Sequence, residues 1–398
     1  MSDYTVRALR PDEIPAASAL FRSTLHVKPV SDEDLPYARR WHQPGRTLGV
    51  FDSELIGTAR SFDAELTVPG GKRRPLAGVT GVGVRPDRTR RGVLSELMRT
   101  QLSDFTDRGV VFAALYASEA SIYGRFGYGV STVFQSSKID RRRARLRPGV
   151  SAGGRIDLLP LDPGLDRLAG LYEELPHRAG MMTRPPYWWA AFEWHLRRAE
   201  APVHAIVHTG PEGPDGFAVY KVERPSWDQP STLDVLELQY ANSDAFAGLW
   251  RYLLTVDLVD EIAVGGRAPD EPTPLLFADS RACTITGGGD DLWLRLVDVE
   301  QALAAREYEG EPVVVEVSDR MLERNSGRYR ISAEGAERTE EPAELSLDAG
   351  TLAMLYFGTW RPSALAGVGR ISAAGPEVPR RADRLFATPV SGWCGTHF

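Results

Sequence analysis

Cysteine and long apolar runs are both scarce in this chain of 398 residues. Cys283 and Cys394 lie far apart and have no histidine at metal-ligand spacing, so the sequence predicts neither a disulfide framework nor a metal site. No apolar stretch approaches the roughly 18 residues of a membrane span. The charged residues 1–15 also lack the apolar segment of a signal peptide. We therefore expect a cytoplasmic protein that does not act in a membrane.

The glycine patterns of dinucleotide-binding and P-loop proteins are missing as well. No GxGxxG follows a strand, and no GxxxxGK[ST] occurs in residues 77–98. The formal net charge of -7 disfavours a dedicated nucleic-acid-binding protein and favours a small cationic partner. The arginine-rich segment 141–147 leaves nucleic-acid binding as a minor alternative.

The patterns that are present predict three domains. With 42% hydrophobic and 25% charged residues, the composition is that of a folded protein. Strand-like and helix-like segments alternate over residues 1–140, a linker rich in arginine, glycine and proline follows at 141–154, and TITGGGDD at 284–291 predicts a second joint. We predict an α/β (α+β) multidomain fold with domains at residues 1–145, 146–286 and 287–398.

The segment Ala77–Met98 gives the strongest functional signal, because a strand, a basic loop and an amphipathic helix follow one another. Glycines in the strand favour close approach of an extended ligand such as a pantetheine arm, which can hydrogen-bond to the backbone. The N-terminus of the helix suits a pyrophosphate. The predicted ligand contacts are Val82, Gly83, Val84, Arg88, Arg90, Arg91, Gly92 and Val93. The alternative interpretation is an ordinary strand-to-helix crossover with solvated arginines.

Residues 88–94 resemble motif A of the GNAT acetyltransferases, with Thr89 and Leu94 departing from its usual form. The later sequence IYGRFGYG at 122–129 resembles a signature of the Eis (enhanced intracellular survival) family. That resemblance implies two GNAT-like mixed-sheet domains, the second without a cofactor, followed by a sterol-carrier-protein-like domain. It also implies acetyl-CoA as cosubstrate and a homo-hexamer.

The same resemblance assigns two catalytic roles. Tyr123 occupies the position of the family's general acid, which protonates the departing CoA thiolate. A tyrosine pKa of about 10 lies above a thiol pKa of about 8.5, so we expect the site to lower the pKa of Tyr123. Without the motif, Tyr123 would be interpreted as a core aromatic residue.

The chain ends in the aromatic sequence SGWCGTHF, which predicts a docked rather than a frayed terminus. The resemblance implies that the carboxylate of Phe398 acts as general base in the active site of residues 1–145. Family members studied with aminoglycosides carry an acidic penultimate residue where this chain has His397. The alternative for Phe398 is an ordinary end whose carboxylate contacts water.

These inferences together predict an acetyl-CoA-dependent N-acetyltransferase that acts by direct transfer on a small-molecule or peptide amine. The candidate acceptors are aminoglycoside-, polyamine- or lysine-like primary amines. A competing hypothesis is a non-catalytic protein that binds acyl-CoA or another hydrophobic ligand. Release of CoA thiol in the presence of amines discriminates between the two.

Overall fold

The computed structural model describes residues 4–151, 153–226 and 228–398. These residues form three mixed sheets and divide into two compact units. The first unit contains the chain up to Thr132, residues 178–191 and residues 290–398. The second contains the described part of residues 133–177 and 192–289. The predicted α/β (α+β) class is confirmed, whereas the boundaries at 145 and 286 stay predictions.

The first sheet has the order β1-β2-β3-β4-β5-β14-β6 and belongs to the first unit. Its strands are β1 (Thr5–Ala8), β2 (Thr47–Asp52), β3 (Glu54–Thr67), β4 (Arg73–Val84), β5 (Phe112–Leu115), β6 (Gly129–Val130) and β14 (Trp293–Leu296). Strands β4 and β5 are parallel, and β14 is antiparallel to β5. A strand from late in the sequence therefore completes a sheet made of its beginning.

Helices cover both faces of this sheet. The helices of the first unit up to residue 132 are α1 (Ile14–Thr24), α2 (Leu35–Arg39), α3 (Val93–Asp107) and α4 (Ala120–Tyr123), with 3-10 turns at Pro86–Arg88 and Gly124–Phe126. Helix α3 buries Leu97, Met98, Leu102 and Phe105, which recur at helical spacing. Helix α1 contacts β3 and β4, and its buried residues are Ala17 and Leu20.

The third sheet, β17-β16-β15-β18-β19, also belongs to the first unit. Its strands are β15 (Val313–Ser318), β16 (Gly327–Ser332), β17 (Gly335–Arg338), β18 (Leu345–Asp348) and β19 (Ser372–Ala373). The accompanying helices are α8 (Val299–Ala305), α9 (Ala349–Leu355), α10 (Pro362–Gly367) and α11 (Val378–Leu385), with a 3-10 turn at Glu323–Asn325. One apolar core joins this sheet to the first, because Phe112 and Leu294 lie in the same cluster as Val315 and Tyr356.

The second unit is built on the sheet β13-β7-β12-β11-β10-β9-β8. Its strands are β7 (Val133–Asp140), β8 (Arg155–Leu159), β9 (Val203–Gly210), β10 (Gly213–Glu223), β11 (Thr232–Tyr240), β12 (Glu261–Arg267) and β13 (Cys283–Asp290). The helices are α5 (Leu161–Glu174), α7 (Ser243–Leu253) and α6 (Pro186–Arg197), whose first residues are assigned to the first unit. The 3-10 turns are Thr273–Leu276 and Ser280–Ala282. Trp250 and Phe217 are fully buried.

Across the described ranges, no helix has both the length and the apolar character that crossing a bilayer requires.

Candidate active site

Strand β4 separates from its parallel neighbour before it ends. The two strands pair only from Leu76 with Phe112 to Gly78 with Ala114, although β4 continues to Val84. On the other side, β4 stays paired with β3, where Thr58 faces Gly83 and Arg60 faces Thr80. The extra residue in β4 forms a bulge, and Gly81 within it has a φ of +63° that favours glycine. The last part of β4 thus offers a backbone edge that β5 does not use.

The predicted contacts Val82, Gly83 and Val84 lie in this separated part of β4. The valines pack partly buried against the core beneath α3. A methyl group on Gly83 would lie 3.1 Å from the Cα atom of Phe21 and from Oγ1 of Thr24, so the small residue lets α1 approach. The sequence alone favours approach of a ligand at this glycine. The structure shows a packing reason for it and leaves backbone contact with a ligand as a prediction.

The loop after β4 carries the predicted arginines. The Arg88 guanidinium lies 3.5 Å from Asp52 and 3.8 Å from Asp87, so it is held on the protein surface by carboxylates. Arg90 and Arg91 are exposed, and among the described residues neither has a carboxylate partner. Arg90 has a φ of +60°, which turns the loop towards α3. Arg90 and Arg91 are therefore better placed than Arg88 to bind an incoming anion.

Helix α3 begins at this loop with Gly92 as its N-cap. Gly92 has a φ of +85°, and no side chain caps the first amides of the helix. A Cβ atom added to Gly92 would have no atom within 4 Å, so the space beside it is open. The side chain of Val93 is buried in the core, which leaves only its backbone for a ligand. Free N–H groups and the positive end of the helix dipole are suited to phosphate oxygens.

Tyr123 ends the short helix α4 and is 7% exposed. Its ring lies in the same apolar core as Val93 and contacts Tyr128 edge-on, with 6.0 Å between ring centroids. Burial raises the pKa of Tyr123 above its usual value of 10. Desolvation disfavours the phenolate, so the pKa shifts in the direction opposite to the one expected from the sequence. The hydroxyl consequently stays protonated at neutral pH, which is the form of a proton donor.

The C-terminal residue packs where β4 and β5 separate. The Phe398 ring contacts Phe62 edge-on at 5.0 Å and Tyr116 at 5.2 Å. Phe62 is paired with Gly78, the last residue of β4 that faces β5, and Tyr116 directly follows β5. Within the described chain, no hydrogen bond, ion pair or ring contact joins Phe398 directly to Tyr123. The structure thus places the terminus at the beginning of the gap between the strands.

A buried carboxylate anchors this C-terminal segment. Asp291 accepts hydrogen bonds from the Tyr116 hydroxyl at 2.9 Å, the Thr132 hydroxyl at 2.9 Å and the Cys394 amide at 3.1 Å. Its burial raises the pKa of the carboxyl group. Since Tyr116 contacts both Asp291 and Phe398, the carboxylate connects the end of β5 to the end of the chain.

Residues 178–191 hold the segment from its other side. The buried Arg184 guanidinium donates to the Thr396 hydroxyl at 3.0 Å and to the Gly395 carbonyl at 2.8 Å. The indole of Trp188 donates to the His397 carbonyl at 2.7 Å. These contacts fix the backbone of the last residues, while the side chain of His397 stays exposed.

Comparisons with known proteins agree with this architecture. Residues 5–131 match an acetyltransferase (GNAT) domain, residues 180–296 match a second acetyltransferase (GNAT) domain, and residues 299–395 match a sterol carrier protein domain. N-acetyltransferase Eis of Mycobacterium tuberculosis is 34% identical over 354 residues, which cover 85% of this chain and 84% of that protein.

The chain belongs to the Eis family of N-acetyltransferases.

Two further relatives support this membership. The crystal structure of Eis1 from Mycobacterium abscessus has a TM-score of 0.91 and 38% identity, covering 99% of this chain and all of that one. An uncharacterized N-acetyltransferase of Streptomyces coelicolor is 37% identical over 92% of both chains. The GCN5-related N-acetyltransferase from Anabaena variabilis, with 20% identity and a TM-score of 0.86, shares the fold. The predicted family, the two GNAT domains and the sterol-carrier-protein-like domain are confirmed, and the chain is an N-acetyltransferase of the GNAT/Eis type.

Two residues beside the candidate site carry no functional signal in the sequence. Asp291 follows a glycine run that we interpreted only as a joint. Arg60 lies on β3 beside the β4 bulge. The alternating pattern of the strand does not indicate which residues surround its side chain. Among the described residues, no cluster of three histidine, cysteine or acidic side chains could hold a metal ion.

Proposed function

We propose that this protein transfers the acetyl group of acetyl-CoA directly to a primary amine. The amine nitrogen forms a bond with the thioester carbon, and the C–S bond then breaks. The CoA sulfur leaves with the electron pair and takes the proton of Tyr123, while the nitrogen loses a proton to a base, for which we propose the Phe398 carboxylate. The protein itself needs no covalent intermediate.

The single observation that carries this proposal is the continuous path from β4 to α3. The edge of β4 beyond Gly78 suits the amides of a pantetheine arm, as an added strand would. The path then reaches the uncapped N-terminus of α3 beside Gly92, with Arg90 and Arg91 available to phosphate. We propose contacts to acetyl-CoA from Val82, Gly83, Val84, Arg88, Arg90, Arg91, Gly92 and Val93.

The proposed acid has a suitable control in its neighbour. Tyr128 is buried, and among the described atoms its hydroxyl has no hydrogen-bond partner. Tyr123→Phe should lower kcat by about 10²-fold, the usual contribution of general acid catalysis, and leave the affinity for acetyl-CoA nearly unchanged. Tyr128→Phe removes a similar hydroxyl from the same core and should keep kcat within about twofold.

The assay is CoA-thiol release with a panel of primary amines, together with calorimetric titration of acetyl-CoA. Equal turnover by the wild type and Tyr123→Phe would remove the assignment of the acid. Replacing both Arg90 and Arg91 by glutamine should weaken acetyl-CoA binding by about tenfold, since charge-assisted hydrogen bonds to phosphate are lost. Tight acyl-CoA binding with no turnover of any amine would instead support the non-catalytic alternative.

We also propose that the acceptor is an aminoglycoside-, polyamine- or lysine-like amine, that the protein assembles as a homo-hexamer, and that it works in the cytoplasm. Family membership supports these proposals, and the net charge of -7 is compatible with a cationic amine. Light scattering of the purified chain tests the hexamer. The amine panel tests the acceptor class, and cell fractionation tests the location.

A further inference from the structure

Arg60 lies on β3 directly beside the bulge of β4. An ideal Cβ atom on Gly81 would be 3.3 Å from Cβ of Arg60 and 3.9 Å from its Nε atom. The predicted contacts to acetyl-CoA begin at the next residue, Val82. The base of the Arg60 side chain therefore lies against β4, the strand that we propose to bind the thioester end of the cosubstrate.

The face of β3 that carries Arg60 is also the face of the C-terminal residue. Side chains alternate along a strand, so Arg60 and Phe62 point to the same side. Phe62 contacts the ring of Phe398, whereas Gly57, of opposite parity, faces Val93 of α3. Arg60 thus lies on the side of the sheet where the proposed base is held, between that residue and the cosubstrate strand.

The guanidinium of Arg60 has one hydrogen-bond partner among the described residues. Its Nη1 atom lies 3.2 Å from Nε2 of His42, whose Nδ1 atom lies 2.9 Å from the Ala38 carbonyl. Because that carbonyl can only accept, His42 is protonated on Nδ1 and accepts from Arg60. The Arg60 Nε atom is buried without a partner. The second N–H group of Nη1 and both N–H groups of Nη2 are left for another acceptor.

In the part of the chain that the structure describes, no carboxylate forms an ion pair with Arg60. Asp63 of the same strand is ion-paired with Arg46 and Arg108. Burial lowers the pKa of Arg60 to about 10, which still leaves it charged at neutral pH, and burial together with Arg60 lowers the pKa of His42 to about 4. Arg60 is half-buried, so its charge is partly removed from water, which is costly without a counter-charge. A planar guanidinium fits a carboxylate in two parallel hydrogen bonds.

We propose that Arg60 binds a carboxylate group of the acceptor, so that the enzyme prefers amines that also carry a carboxylate. This inference rests on the proposed N-acetyltransferase function and narrows its acceptor class. Of the three acceptor classes proposed above, it selects lysine-like amines, because a fixed positive charge at this place disfavours the polycationic aminoglycoside- and polyamine-like ones. His42 acts as a positioning residue, because it holds the guanidinium beside the bulge.

The test compares matched pairs of amines that differ only in this group, such as lysine with lysinamide and β-alanine with β-alaninamide. The wild type should show kcat/KM at least about tenfold higher for each carboxylate, the value expected of a charged hydrogen bond. Arg60→Gln should reduce this preference to less than about threefold by slowing the carboxylates only. Arg60→Lys should keep part of it, since the charge remains and the bidentate geometry is lost.

A matched control is Arg7→Gln, because Arg7 lies on β1 of the same sheet and is paired with Glu13 at 2.7 Å. It should leave the preference unchanged. Thermal melting checks that each variant folds. If Arg60→Gln slows carboxylates and amides alike, Arg60 serves the enzyme's own groups, such as the Phe398 carboxylate, and the inference is overturned. A wild type that prefers amides or polyamines overturns it while leaving the acetyltransferase proposal intact.

Binding of the acetylated product tests the role of Arg60 without turnover. N-acetyl-β-alanine, titrated calorimetrically in the presence of CoA, should bind the wild type at least about tenfold more tightly than Arg60→Gln, whereas N-acetyl-β-alaninamide should not distinguish them. Equal binding of the two ligands by the wild type would overturn the role of Arg60. Failure of every amine to release CoA, with this binding difference present, would overturn the proposed reaction and keep the carboxylate site.

Discussion

Replacing Asp291 by asparagine tests whether the buried carboxylate positions the C-terminus for catalysis. The carboxylate accepts from Tyr116, Thr132 and the Cys394 amide. An asparagine has one oxygen, so its NH2 group must face at least one of these donors. A buried donor left unsatisfied costs about 1–3 kcal/mol, and the relief of a buried charge offsets part of this. We expect a net loss of about 1–2 kcal/mol, seen as a melting temperature lower by a few degrees.

Turnover should fall even at temperatures where the variant is fully folded. The NH2 group of asparagine replaces either the oxygen that contacts Tyr116 or the oxygen that contacts Thr132 and Cys394. Loss of either contact allows Phe398 to move, and a displacement of about 1 Å at a reacting group can cost about 10²-fold in rate. We expect kcat/KM for the best amine to fall by about 10- to 100-fold. The assay is CoA-thiol release at a temperature well below the melting transition.

A double-mutant cycle separates positioning from general damage. Asp291→Asn should lower kcat/KM by less than about twofold in a chain that lacks Phe398, because the two changes remove the same interaction. Asp383→Asn is the control, since Asp383 accepts from the Ser363 amide at 2.8 Å and its hydroxyl at 2.6 Å in the sterol-carrier-protein-like part. It should lower the melting temperature with turnover nearly unchanged. Multiplicative losses in the cycle would refute the positioning role.

Two smaller predictions concern the face of the sheet that α1 contacts. Gly83→Val should destabilise the protein by about 1–3 kcal/mol in thermal unfolding, because the valine side chain would clash with α1. Gly287→Val is the control and should not destabilise it, since the space beside this strand glycine is open. Equal melting temperatures of the two variants would contradict the packing role of Gly83. The lowered pKa of His42 means that the folded state binds protons less readily than the unfolded state, so stability is lost as the pH falls from about 6.5 to about 4. At about 1.4 kcal/mol per pKa unit, the effect is at most about 3–4 kcal/mol. His42→Asn should flatten this part of the stability curve measured by denaturant unfolding; an unchanged curve would refute the assignment.

Local patterns in the sequence were sufficient for the strand, loop and helix that we propose to hold the cosubstrate. The structure has a strand, a turn and a helix there. Each is determined by residues close in sequence: the valines of β4, Pro86 after it, and the helical spacing of Leu97, Leu102 and Phe105. The bulge at Gly81 was not predicted, because it depends on how β3 pairs with β4.

Features that depend on distant pairing were beyond the sequence analysis. The insertion of β14 beside β5 joins residues 293–296 to residues 112–115, and no local pattern specifies that register. The charge environments of Arg60 and Asp291 follow from the same packing. The direction of the Tyr123 pKa shift was wrongly expected for this reason too, since the chemistry of the thiol was known but the burial of the ring was not.

The place of β14 in the first sheet has a consequence for how the protein is made. A ribosome that has released residues 1–132 has supplied β5 and β6, but the strand that pairs with both of them is encoded about 160 residues later. Until then, β5 presents unpaired backbone groups of the kind that promote self-association. We expect a fragment ending at residue 132 to aggregate, and chaperones that shield nascent chains to improve the yield of the intact protein.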